Sequence, residues 1–231
     1  MRSQTFTILW KENCMRTAIA MFLLILLAAG VAADTTRKVV EGSGRTITEA
    51  RNVGDFNALS LDIDAKVTVT PGETSRCWIS AEENILPLIV TEVSGSTLRI
   101  TSREAFIPNQ PVAVILETPL LTSVALRGAG EIEMAEVTRD KLALAINGSG
   151  NIRAVGKVAR LTAAINGSGN LNAADLGAGT GTITINGSGS ADIHVTESLR
   201  ATILGSGTIT YGGSPPELQK LVNGSGKIIK K

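Results

Sequence analysis

A glycine-serine-glycine tripeptide recurs through the second half of this chain at intervals close to 19 residues. From Gly128 onward, the first glycines of successive copies are 20, 19, 20, 18 and 19 residues apart. A flexible linker would not keep such a period, whereas stacked structural units do. The tripeptide, with alanine at its centre in one copy, occupies residues 42–44, 128–130, 148–150, 167–169, 187–189, 205–207 and 224–226.

Aliphatic and polar residues alternate on both sides of each tripeptide. Two positions before the first glycine stand Leu126, Ile146, Ile165, Ile185, Ile203 and Val222. Beyond the tripeptide the aliphatic row resumes at Ile132, Ile152, Leu171, Ala191, Ile209 and Ile228. A spacing of two indicates strands with one buried face. The row that follows holds Glu133, Arg153, Asn172, Asp192 and Thr210, which we expect to face water.

These features predict a rung made of a strand, a Gly-Ser-Gly corner, a shorter strand and a second corner. Identical positions in successive rungs should stack into ladders of isoleucine on isoleucine and asparagine on asparagine. Parallel strands joined by such crossovers are almost always right-handed, so we predict an all-β, single-stranded right-handed parallel β-helix with rungs of about 19 residues. A left-handed hexapeptide helix would need a six-residue period, and an antiparallel barrel would need two-residue hairpin turns.

The predicted domain comprises residues 53–227, with irregular rungs and a cap over 53–120 and the tripeptide repeats over 121–227. Residues 34–52 form an N-terminal extension, and residues 228–231 form a C-terminal tail. Within the irregular part, Leu59 and Leu61 followed by Val67 and Val69 match the two halves of a rung. The segment 93–101 suggests a hairpin.

The ends of a solenoid must be protected against pairing with other strand edges. The proline-rich first half and the terminal residues Lys227, Lys230 and Lys231 are expected to do this.

An apolar run of fifteen residues covers 19–33, follows Arg16 and ends in small residues. This pattern predicts a signal peptide over residues 1–33, cleaved near Ala33. A membrane span, the alternative, needs about 20 apolar residues, so we expect no stable span in the mature chain. Translation starts at Met1 or at Met15, and the mature protein lies in the periplasm or at the cell surface.

Composition disfavours several classes of function. The formal net charge is +1, which gives no field for a nucleic-acid partner. His194 is the only histidine, so neither a catalytic triad nor a histidine metal site is expected, and no cofactor is predicted. Cys77 is the only cysteine beyond the predicted leader, and we interpret it as a small buried residue.

The succession AINGSGN, AINGSGN, TINGSGS, TILGSGT and LVNGSGK, after a first half containing FNALSLDI, resembles the bacterial head GIN domain family, DUF2807. The resemblance covers about residues 53–227. It implies an exported protein with a right-handed β-helix, of the kind described as the head of an autotransporter adhesin.

The resulting hypothesis is a non-enzymatic, exported cell-envelope protein that acts as an adhesin-like surface or envelope-organising module. The partner is an unidentified envelope protein or glycan. One alternative is a glycan- or protein-binding periplasmic module that uses Trp78 or Phe106. A carbohydrate-active β-helix enzyme is a further alternative, but the mixed charges of the exposed row offer no pair of adjacent carboxylates.

Overall fold

The computed structural model describes residues 39–231, and most of this part of the chain is β-strand. The predicted signal peptide and the choice between Met1 and Met15 lie outside the described residues. Strands β1 to β17 span Val39–Glu41, Thr46–Arg51, Ala58–Leu61, Lys66–Pro71, Arg76–Glu82, Ile89–Ser94, Thr97–Ser102, Ala105–Ile107, Ala113–Thr118, Ser123–Gly128, Glu131–Gly148, Asn151–Gly167, Asn170–Gly187, Ser190–Gly205, Thr208–Gly212, Glu217–Asn223 and Lys227–Lys230. A short 3-10 turn, Leu86–Leu88, precedes β6.

The C-terminal part is a β-solenoid of about five turns. Strands β11 to β14 are each 16 to 18 residues long, and each pairs in parallel with its predecessor. Ile146 is opposite Ile165, which is opposite Ile185, and all three side chains are at most 1% exposed. The predicted column of stacked isoleucines is therefore confirmed.

The Gly-Ser-Gly corners are held by the carbonyl of the glycine one rung below. The backbone N–H groups of Ser149 and Gly150 both donate to the carbonyl oxygen of Gly128, each at 3.0 Å. Gly148 has φ +139°, and a Cβ atom there would lie 2.5 Å from the same oxygen. A side chain is excluded at this position both by the backbone conformation and by the close approach of the rung below.

The first complete rung does not follow the order of the sequence. Strands β3 and β4 lie beneath β10 and β11, with Leu61 opposite Leu126 and Val67 opposite Ile132. Strands β7 and β9 lie beneath β3 and β4 in turn. The predicted rung at Leu59–Leu61 and Val67–Val69 is confirmed. The chain between β4 and β10 forms the strands of the base below this rung and then returns to the solenoid at β10.

The base is closed by antiparallel strands, a feature that the expectation of irregular rungs did not include. Strand β5 runs antiparallel to β9, and β2 runs antiparallel to β5. Strands β6 and β7 form the hairpin predicted at 93–101, with Ser94 opposite Thr97. Because β2 and β6 run against their neighbours, the base does not repeat the parallel pattern of the solenoid above it.

The first tripeptide, residues 42–44, is not a corner of the solenoid, so its inclusion in the repeat was wrong. It wraps around the carboxylate of Glu82, whose residue is fully buried. One oxygen of Glu82 accepts the N–H of Gly44, and the other accepts the N–H of Asn109 at 2.9 Å. A side chain on Gly42 would collide with this carboxylate. The glycines are needed here because a buried carboxylate must be contacted closely by backbone donors.

The outermost rung of the described chain consists of β16 and β17, which pair in parallel with β14 and β15. Lys220 is opposite Ala201 and Lys230 is opposite Tyr211, both of which are buried in the core. Lysine therefore takes two positions that face the core in the rung below. Lys230 belongs to the group expected to close this end, whereas sequence reasoning missed Lys220.

Candidate functional site

A cleft of about 810 Å³ lies beside the second corner of β11 to β14. We call it the corner cleft and define it by Asp140, Lys157, Gly177, Gly179, His194 and Glu197. The pairing of β13 with β14 is irregular here, with register shifts between Ala173 and Gly177 and between Ala178 and Thr180. The cleft lies where the solenoid departs from its regular repeat.

Gly177 leaves open space in the cleft. Lys157 is opposite Gly177, and Gly177 is opposite His194, so these three residues form an outward column. A Cβ atom on Gly177 would meet no atom closer than 3.9 Å. With about 4.8 Å between adjacent strands, the backbones of Lys157 and His194 lie roughly 10 Å apart on either side of this gap.

Charged side chains surround the gap. Lys157, Asp140 and Glu197 are exposed, and His194 is half-buried with Nδ1 close to Gly212. The carboxylate of Glu197 lies beside Gly179, at 3.2 Å from the place a Cβ atom would take. Within residues 39–231, none of the four forms an ion pair. The cleft therefore offers a ligand the ammonium group of Lys157, the imidazole of His194 and two carboxylates.

Arg139 also borders the cleft but serves the fold. It is opposite Val158, which is opposite the buried Ala178, so it stands in an apolar column. Its guanidinium donates to the carbonyl oxygen of Thr138 at 2.6 Å and to that of Pro119. These bonds hold the second corner of β11, which lies beyond the part of β11 that pairs with β4.

Two ladders of polar side chains flank the Gly-Ser-Gly corners. In the first, Asn186 donates to Asn166 at 2.7 Å, and Asn166 donates to Asn147 at 2.8 Å. In the second, Asn170 donates to Asn151 at 2.9 Å, and the Ser190 hydroxyl donates to Asn170 at 2.7 Å. The predicted asparagine ladder is confirmed. Because these groups bond to one another, the ladders stiffen the corners.

The first ladder ends at a charged cluster. Arg127 is opposite Asn147 and lies 3.4 Å from Asp62, which also accepts bonds of 2.9 Å from Arg99 and Ser60. Burial raises the pKa of Asp62, but the hydrogen bonds and the two positive charges outweigh it and hold the pKa below its ordinary value. The cluster is an internal ion-pair network rather than a free carboxylate site.

The aromatic side chains beyond the predicted leader do not form a stacking groove. Phe56 and Tyr211 are each 3% exposed, and Phe106 packs against the core. Trp78 is partly exposed on the outer face of the base, opposite Ile115, which is 49% exposed. The two residues suggested for glycan contact, Trp78 and Phe106, are both partly exposed, and both lie outside the corner cleft.

Other reactive groups have structural surroundings. Cys77 is 2% exposed, and burial raises the pKa of its thiol to about 11, as expected for a small buried residue. Between Val39 and Lys231, no cluster of three or more histidine, cysteine, aspartate or glutamate side chains is placed to hold a metal ion.

Sequence reasoning did not find the corner cleft. It treated His194 only as the single histidine of the chain, whereas the side chain is half-buried and borders the cleft. The available signals were Gly177 and Gly179, which lie outside the tripeptides, and the change in spacing from 20 to 18 residues around them. These signals mark an irregular corner without telling which side chains meet there.

Residues 55–215 match the profile of the family described as "Putative auto-transporter adhesin, head GIN domain". The chain belongs to the head GIN domain family. The resemblance found in the tripeptide sequence is thus confirmed, and the family name places this head GIN domain among adhesin-like proteins. No curated protein matches the chain.

Solved structures share the head GIN fold. A protein described as a "putative adhesin" from Bacteroides fragilis is 22% identical with a TM-score of 0.70, and the match covers 83% of this chain and 100% of that one. A "putative lipid binding protein" from Parabacteroides distasonis is 21% identical with a TM-score of 0.60, over 84% and 100% of the two chains. A "putative adhesin" from Parabacteroides merdae is 21% identical with a TM-score of 0.55, over 83% and 98%. At such identities the likeness establishes the fold.

The head GIN domain has no helix in residues 39–231 that is long and apolar enough to cross a membrane.

Proposed function

We propose that this head GIN domain is a non-enzymatic, exported recognition module that binds an envelope or cell-surface partner in an adhesin-like manner. The predicted signal peptide over residues 1–33 supports export to the periplasm or the cell surface. The family name supports the adhesin-like role.

One contrast carries this proposal. Along the ladders, asparagine side chains bond to one another, so the solenoid is a self-sufficient scaffold. In the corner cleft, Lys157, His194 and Glu197 have no ion-pair partner within residues 39–231. Unpaired polar groups carried by a rigid scaffold suit binding, because the backbone need not rearrange when a ligand is ordered and only these side chains lose freedom.

The compartment is tested by expressing the full chain with a C-terminal tag in its own cells. We expect tagged protein in the periplasmic or surface fraction, with a mature N-terminus near Asp34 when the intact mass is measured. Retention in the cytoplasm with an uncleaved leader would refute export.

The non-enzymatic assignment is tested on uronate polymers and neutral polysaccharides. We expect retention of the full chain on isolated envelope material and no new reducing ends or unsaturated products after prolonged incubation. Product formation above that of a heat-denatured control would overturn the assignment. Failure to bind any envelope fraction would overturn the recognition role.

The exposed Ile115 beside Trp78 favours a second candidate, a periplasmic module that contacts a glycan or protein through the base. Under this alternative, Trp78→Ala abolishes envelope binding while Lys157→Gln leaves it intact. The reverse pattern supports the corner cleft as the contact surface.

A further inference from the structure

We infer that the corner cleft binds an acidic saccharide, with the carboxylate of a uronic acid residue seated between Lys157 and His194. The inference rests on the proposed recognition function and names the ligand class of the same site. It follows from the arrangement of the two residue columns that face the cleft.

The first column supplies hydrogen-bond donors. Thr138, Lys157, Gly177 and His194 stand opposite one another on successive strands, and Gly177 leaves the space between Lys157 and His194 empty. Lys157 and His194 border the same gap, and rotation of the imidazole, whose Nδ1 lies over Gly212, brings an N–H toward it. An ammonium group and an imidazole N–H together suit a carboxylate, which accepts several hydrogen bonds at once.

The second column supplies acceptors at its two ends. Asp140 and Glu197 border the cleft on this side, and the side chains between them are small or absent at Ala159 and Gly179. Carboxylates accept hydrogen bonds from sugar hydroxyls. Because Gly179 has no side chain, the carboxylate of Glu197 lies over it, while Ala159 leaves the neighbouring floor of the cleft open to a pyranose. A ligand that fits both columns carries a carboxylate on one side and hydroxyl donors on the other.

The surroundings disfavour an extended peptide. Strand β12 is paired along its length with β11 on one side and β13 on the other, so this part of the sheet presents no open edge to an added strand. The cleft, at about 810 Å³, has room for a short oligosaccharide and is bordered mainly by polar or small side chains.

Gly177 provides a selective way to block the site. Its φ lies outside the left-handed region, and a Cβ atom there has open space, so Gly177→Leu fills the gap without straining the backbone. Thr162 is exposed on another side of β12, opposite Ala143 and Thr182, so Thr162→Leu adds a similar side chain away from the cleft.

Binding is measured by titration calorimetry with the full chain and two matched probes, tetragalacturonate and its fully methyl-esterified form. We expect the acid to bind about fivefold more tightly than the ester, since an exposed ion pair contributes up to about 1 kcal/mol. Gly177→Leu should lower affinity for the acid at least about tenfold with an unchanged unfolding temperature, and Thr162→Leu should have no effect.

Two variants test whether the uronate carboxylate binds between Lys157 and His194. Lys157→Gln and His194→Gln should each reduce affinity for the acid by about fivefold and leave affinity for the ester unchanged, whereas Lys157→Arg should retain binding. Equal binding of acid and ester, no binding of the acid at millimolar concentration, or an unaffected Gly177→Leu variant would each overturn the inference.

The retention assay on envelope material separates this inference from the proposed function. If retention persists while tetragalacturonate fails to bind, the ligand class is wrong and the recognition role stands. If retention is absent as well, both are wrong.

Discussion

The ammonium nitrogen of Lys220 lies 4.7 Å from the centre of the Tyr211 ring, at the outermost rung of the described solenoid. Tyr211 is 3% exposed, so the lysine covers the last aromatic residue of the core. Beside it, Leu218 and Val222 are each 40% exposed in columns that are buried lower down. A charge at an inward position makes this end unfavourable for stacking a second solenoid.

Replacing Lys220 by leucine together with Lys230 by isoleucine should therefore cause end-to-end association. We expect the double variant to form dimers or longer species, measured by analytical ultracentrifugation, at concentrations where the parent is monomeric. Lys227→Ile is the matched control, because Lys227 is opposite Thr208 on the outward face. A double variant that stays as monomeric as this control would show that the lysines do not protect the end.

Gly148→Ala should lower the free energy of unfolding by at least about 3 kcal/mol, through backbone strain at φ +139° and collision with the Gly128 carbonyl. Ser149→Ala, which alters an exposed side chain in the same corner, should change it by less than about 0.5 kcal/mol. Urea unfolding measures both. A cost below 1 kcal/mol for the glycine variant would contradict the proposed role of the corner.

Glu82→Gln should loosen the segment 42–51 by weakening the charge-assisted bonds to Gly44 and Asn109, at a cost of about 2 kcal/mol. Hydrogen exchange should accelerate in β2 and remain slow in β12. Glu83→Gln removes only the exposed ion pair with Arg45, so we expect an effect below about 1 kcal/mol. Equal protection of β2 in both variants would show that the Glu82 carboxylate does not hold this segment.

Cys77 should make the stability depend on pH at high pH. Burial raises the pKa of its thiol from 9.0 to about 11, so folded and unfolded chains are both protonated below pH 9 and the full stability is present there. Between pH 9 and pH 11 the unfolded chain loses its proton first, and roughly 2 kcal/mol should be lost. The measurement is the difference in unfolding free energy between the parent and Cys77→Ala across this range. A constant difference would contradict burial of the thiol.

The rungs were predictable because their information is local and repeated. Ile146, Ile165 and Ile185 hold the same place relative to each tripeptide, and side chains alternate across a strand with a period of two. The rung at Leu59–Leu61 and Val67–Val69 was predictable for the same reason, although its neighbours in the stack are distant in sequence.

The base and the corner cleft were not predictable in this way. The carboxylate of Glu82 accepts hydrogen bonds from Gly44 and from Asn109. No local sequence pattern predicts a contact between segments so far apart in the chain. The tripeptide at 42–44 looks identical to the corners, yet its glycines admit a carboxylate instead of a second rung.

The sequence by itself determined the family, the strand period, the buried columns and the asparagine ladders, because each depends on residue type at a fixed spacing. Tertiary structure decided that β7 and β9 lie beneath β3 and β4, that Lys220 covers Tyr211, and that Lys157, Gly177 and His194 share one column. The reason is physical: stacking order and irregular corners depend on which backbones approach closely in space, and residues far apart in the sequence contribute to each approach.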